Sequence, residues 1–72
     1  MAEELVPTEP FGLRGDDQHI WHIAAGERWS DGTLVGYRTE CGRNYPPVGQ
    51  RSELDGLTDV CSDCQAQLAR RH

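Results

Sequence analysis

The chain has no lysine; all seven of its basic residues are arginine. That pattern fits a GC-rich coding bias, and arginine is also the better residue for bidentate contacts. Its cysteines number three, an odd count that cannot pair fully within one chain and so argues against a disulfide framework. Aromatic side chains are few: Phe11, Trp21, Trp29, Tyr37 and Tyr45. No apolar run approaches the roughly 18 residues of a spanning helix, and the first residues, acidic and proline-containing, carry no charged-then-apolar signal segment. The setting expected from these absences is reducing and cytoplasmic, where thiols stay free to hold metal.

Seventy-two residues make one domain at most, and a core this small rarely supplies more than about 3–5 kcal/mol. Such chains commonly depend on a metal, a disulfide or a partner subunit. The net charge of −5 is unevenly placed. Residues 1–17 hold Glu3, Glu4, Glu9, Asp16 and Asp17 against Arg14, and residues 18–72 hold seven acids against six arginines. With no sustained apolar period, and with Pro7, Pro10, Gly12 and Gly15, residues 1–17 read as an acidic flexible arm. Residues 18–72 read as the folded domain, with Phe11 and Leu13 able to dock on it.

Within that domain His19 to Ala25 is rich in β-formers and predicts a first strand. Alternation puts Ile20, His22 and Ala24 on one side and Trp21 and Ile23 on the other. A turn is expected over Gly26 to Gly32, then a second, antiparallel strand over Thr33 to Thr39 that sets Val35, Tyr37, Thr39 and Cys41 on one face. Tyr45-Pro46-Pro47-Val48 offers a short edge strand, weakened by prolines that cannot donate to a ladder. Gly49 to Thr58 reads as a loop. A helix from about Ser62 to Arg70 closes the chain, with Asp63 in its first turn and Arg70-Arg71 in its last, as the helix dipole favours. The fold class is therefore α+β: a two- to three-stranded antiparallel sheet and a short C-terminal helix.

The chemistry lies in Cys61-Ser62-Asp63-Cys64. A C-x-x-C pair at a helix start lets two sulfurs grip one tetrahedral metal or form a redox disulfide. Upstream stand one further thiol, Cys41, followed by a glycine that permits a tight turn, and a central strand imidazole, His22. Three thiolates and one imidazole suit structural zinc, with no coordination position left for substrate. His19, on the opposite strand face, is the rival nitrogen ligand, and the terminal His72 is the weakest candidate. Read blandly instead, Cys41 is a buried apolar residue and the histidines are surface groups. Two enzymatic readings fail. A zinc deaminase needs a glutamate two residues after its histidine, where this chain has Ala24. A thioredoxin-like motif needs a βαβ setting that is absent. The chain is not expected to be an enzyme.

Trp21-His22-Ile23-Ala24-Ala25-Gly26, Thr39-Glu40-Cys41-Gly42-Arg43 and Val60-Cys61-Ser62-Asp63-Cys64 together resemble the small zinc-finger proteins, with one histidine and three cysteine ligands, found in actinobacteria and their phages. The resemblance covers roughly residues 20–70. It implies His22, Cys41, Cys61 and Cys64 as zinc ligands and says little about function, since most members have none assigned. Glu40 and Val60 depart from the family pattern without touching a ligand.

Two roles follow for such a module. As a protein-interaction or regulatory factor it would present Trp21, Trp29 or Tyr45 with arginine to a partner protein; the plainer reading packs at least one tryptophan in the core. As a nucleic-acid-binding finger it would set Arg28, Arg38, Arg43, Arg51, Arg70 and Arg71 against phosphates. A basic footprint is missing, however, because three thiolates and Zn²⁺ take residues 18–72 to about −2. A third, purely structural role makes it an accessory subunit whose partner completes its core.

Overall fold

The computed structural model describes residues 3–70; Arg71 and His72, each given a role above, lie outside the described residues. Five strands form one antiparallel sheet: β1 Glu3–Arg14, β2 His22–Ser30, β3 Thr33–Thr39, β4 Asn44–Tyr45 and β5 Gln50–Ser52, followed by helix α1 Ser62–Arg70. The strand order is β4-β3-β2-β1-β5. The fold class is α+β as expected, but with five strands rather than two or three.

The largest correction concerns residues 1–17. From Glu3 to Arg14 this stretch is no arm but the longest strand, paired with β2 along Glu3–Pro7 and again along Phe11–Leu13, and with β5 along Gly12–Arg14. Its alternation is hard to see in the sequence because the register breaks between Pro7 and Phe11. Pro10 falls inside that irregularity, where a missing N–H costs no ladder bond. Beyond the break, Leu13 is 1% exposed and belongs to the core. Burying a leucine so fully contributes about 1.5–3 kcal/mol, which ties the chain's first residues into its stability.

β2 begins later than expected and runs on through Ser30, and the reversal is a two-residue turn at Asp31-Gly32, with φ of 52° and 78°. Positive φ at both positions gives the hairpin a backbone twist that matches its strands, and glycine at the second position takes it without strain. β3 spans the residues expected of it. Its inward face does not, because Arg28 pairs with Gly36 and Trp29 with Leu34, leaving Val35 as a bulge. The extra residue turns Val35 outward and brings Leu34 onto the side of Tyr37 and Thr39. The supposed loop after Gly49 contains β5, which closes the sheet on β1.

The main core cluster sits on one face: Leu13, Ala24 and Tyr37, with Phe11, Leu34 and Tyr45 packed against it, while Ile23 is buried on the other. Phe11 meets Tyr37 edge-on, ring centres 5.5 Å apart, and the Arg51 guanidinium lies 4.3 Å from the centre of the Phe11 ring. No helix among the described residues is long and apolar enough to cross a membrane.

Candidate metal centre

His22 opens β2 opposite Leu13, so its side chain leaves the sheet on the core face and is buried. Two segments come to meet it. The first is the turn after β3. Thr39 N–H donates to the Arg43 carbonyl and Gly42 N–H to the Thr39 carbonyl, while Glu40 N–H donates to Ile23 of β2. The Thr39 hydroxyl accepts the Arg43 N–H at 3.0 Å and lies 3.1 Å from Cys41 Sγ. Gly42, with φ of 89°, supplies a left-handed conformation that other residues adopt with strain. These bonds fold the Thr-x-Cys-Gly-Arg stretch into a knuckle with its thiol toward His22.

The second segment is the approach to α1. Trp21 N–H donates to the Asp59 carbonyl and Cys61 N–H to the Trp21 carbonyl, a parallel bridge between Trp21 and Val60 that clips the chain alongside the start of β2. Asp59 takes a positive φ of 56° there. The Cys61 carbonyl then accepts the Gln65 N–H and the helix begins. Cys64, in its first turn, is completely buried.

The result is a cluster in which His22 and the Sγ atoms of Cys41, Cys61 and Cys64 all lie within 4.8 Å of one another. His22 Nδ1 is 3.6 Å from Cys41 Sγ and 3.7 Å from Cys64 Sγ. Zinc–nitrogen and zinc–sulfur bonds of about 2.1 and 2.3 Å at tetrahedral angles put nitrogen and sulfur about 3.6 Å apart. His22 Nδ1 therefore stands at the edge length of a tetrahedral site from the sulfurs of Cys41 and Cys64. All three cysteines are free thiols. Nδ1 faces the sulfurs, so a metal-binding imidazole here carries its proton on Nε2.

The electrostatics suit a cation. Burial, reinforced by the nearby Arg43 guanidinium, holds His22 below its ordinary 6.5. Burial pushes the Cys41 thiol up, but hydrogen bonds from Thr39, Cys64, the Arg43 N–H and Cys61 outweigh it and bring Cys41 below 9.0. Cys64 is pushed up to about 12, chiefly by burial and further by Cys41 beside it, against the pull of the Ile23 and Cys41 N–H groups. The backbone amides aimed at the sulfurs are the kind of outer contact that orients metal ligands. With Cys64 holding its proton until a cation arrives, metal binding releases protons.

His19 stays out of the cluster. It is exposed and lies 3.2 Å from the Asp59 carboxylate. Two contributors escaped the sequence reading. Tyr45 packs edge-on against His22, ring centres 5.1 Å apart, and Thr39 braces the knuckle. A threonine two residues before Cys-Gly is a legible signal, since its hydroxyl can cap the turn that follows; nothing in the sequence marks Tyr45.

Fold and site together define a small antiparallel sheet with, at one end, a cluster of one histidine and three cysteines that could hold a metal ion. No protein-family model, no curated protein and no solved structure matches the chain.

Proposed function

We propose that the chain is a zinc-stapled protein-interaction module, with one Zn²⁺ held by His22 Nδ1 and the thiolates of Cys41, Cys61 and Cys64. The carrying observation is the spacing of those donors, 3.6 and 3.7 Å from nitrogen to sulfur, on three separate segments of the chain. Zinc fits the donor set better than calcium or magnesium, which take oxygen ligands. Four protein ligands close the coordination sphere, so the ion is structural and the module is not an enzyme. Its work is to fasten the knuckle and α1 to the end of β2. The resemblance to the actinobacterial and phage zinc fingers belongs to this reading, as does a reducing compartment.

A protein partner is favoured over nucleic acid by the balance of charge. The net charge is −5, Arg28 is paired with Glu3, and Arg14 and Arg51 lie over the Trp21 and Phe11 rings. No net basic footprint is left to meet phosphates. Elemental analysis with native mass spectrometry tests the metal: one zinc per chain is expected, lost in Cys64→Ser. Chain purified in full with zinc supplied that remains metal-free and folded overturns the reading. Affinity capture from the source cell, scored for protein and nucleic acid together, tests the partner class.

A further inference from the structure

A sheet is stable when each apolar face is covered by another layer. Here the core face is covered at one end only. Around His22 and Leu13 it is closed by the cysteine knuckle and the start of α1. Beyond Phe11 and Tyr37 the same face continues through Leu34, Trp29 and Val6, because Leu34 pairs with Trp29 and Val6 with Glu27. No described helix or loop supplies a layer there. Val6 is exposed, and Leu34 and Trp29 are half-buried.

The rim of this open half is acidic. Glu4, Glu27 and Asp31 border one shallow depression beside Trp29 and Val6. Glu9, Glu27, Glu53 and Asp55 border a second beside Phe11. The two share Glu27 and lie side by side as one trough-like stretch of surface. Glu27 Oε1 accepts the Trp29 indole N–H at 3.1 Å, which fixes that ring in the floor. Among the described residues none of Glu4, Glu9, Asp31, Glu53 or Asp55 makes a salt bridge. The one base among the residues bordering the trough, Arg51, is stacked on Phe11 and Tyr37. On the opposite face Glu3 is neutralised by Arg28, whereas six carboxylates border the uncovered apolar face.

We propose that this open half of the core face is the docking surface for a basic, arginine- or lysine-bearing segment of a partner protein. The apolar floor takes the aliphatic stems of such side chains, and the Trp29 ring offers a face to their cations. The carboxylates pair with the charged heads and steer the encounter. A second copy of this chain is the poorer occupant, since it would bring a face of the same charge. The inference rests on the interaction-module reading and adds to it the surface and the chemistry of the partner.

The test uses the full-length, zinc-loaded chain and three synthetic peptides of equal length: arginine/lysine-rich with interspersed leucines, its glutamate counterpart, and a neutral one. Amide and indole NMR shifts are followed during titration. The basic peptide should shift the Trp29 indole and the amides of Val6 and Glu27, with affinity falling steeply as salt rises. The other two should leave them unmoved. The double variant Glu4→Gln/Glu27→Gln removes two charges while its side-chain amide oxygen at position 27 can still accept the indole N–H. It should bind at least about tenfold more weakly. Should that variant fail to fold, the wild-type shift map decides alone. Equal response to all three peptides, a footprint on the Arg28–Arg38 side, or shifts of Trp29 with protein concentration alone overturns the proposal. A duplex DNA arm that shifts Trp29 does the same. If a cellular partner is captured equally by the double variant, the interaction reading stands and this surface assignment fails. If zinc is absent but the peptide footprint holds, the zinc reading fails and this surface assignment stands.

Discussion

Removing the metal should melt α1 before it melts the sheet. The helix has nine residues, fewer than the roughly 12–15 at which an isolated helix is even marginal in water. Its anchorage is slight. Cys64 is its one fully buried residue and Leu68 is half-buried, worth together about 2–3 kcal/mol. Ordering the backbone costs about 1–2 kcal/mol per residue, which helical hydrogen bonds at about 1 kcal/mol each offset in part. The shortfall is several kcal/mol, and a structural zinc site supplies about 10–16. The sheet holds its own core of Leu13, Ala24 and Tyr37, so its central strands should outlast the helix. Amide exchange and ¹³Cα shifts before and after chelation measure both. The expected result is loss of helical shifts and of protection over Ser62–Arg70, with protection surviving longest in β1–β3. A helix that keeps its shifts and protection in the metal-free chain refutes the reasoning, and so does a sheet that opens first.

His22→Ala should abolish or severely weaken zinc binding while His19→Ala retains it; in an NMR pH series of the loaded protein, His22 should not titrate near 6.5. Thr39→Val strips the acceptor from the Arg43 N–H and the contact to Cys41. It should cost about 1–3 kcal/mol in thermal or denaturant unfolding, and about 10–100-fold in zinc affinity by competition with a chromogenic chelator. Leu13→Ala should destabilise by about 2–5 kcal/mol, and deleting residues 1–14 should leave no cooperative unfolding transition. In the metal-free chain His22, held low, and Cys41, also held low, bind fewer protons folded than unfolded, so stability followed by denaturant melts should grow with pH through about 6.5 and on toward 9.

The sequence by itself determined the local features whose causes are local. Alternating β-formers over Thr33–Thr39, the Asp31-Gly32 reversal and a helix opening on C-x-x-C each follow from neighbouring residues. The four donors were legible too, because thiols and imidazoles at such positions in a small chain have few other uses. What lay outside the sequence was the outcome of pairing between distant segments. β1 carries prolines and a broken alternation, and becomes a strand only because β2 offers it a partner on either side of the irregularity. The bulge at Val35 exists only in the pairing of β3 with β2, yet it decides which residues of β3 face the core. His22 was preferred to His19 in the sequence for its central place in the strand and by the family resemblance; what the tertiary structure added is the meeting of knuckle, helix start and β2 on that face. The acidic cast of the open face arose the same way, from residues near 4, 9, 27, 31 and 53–55 brought together by a sheet whose strand order no local pattern prescribes.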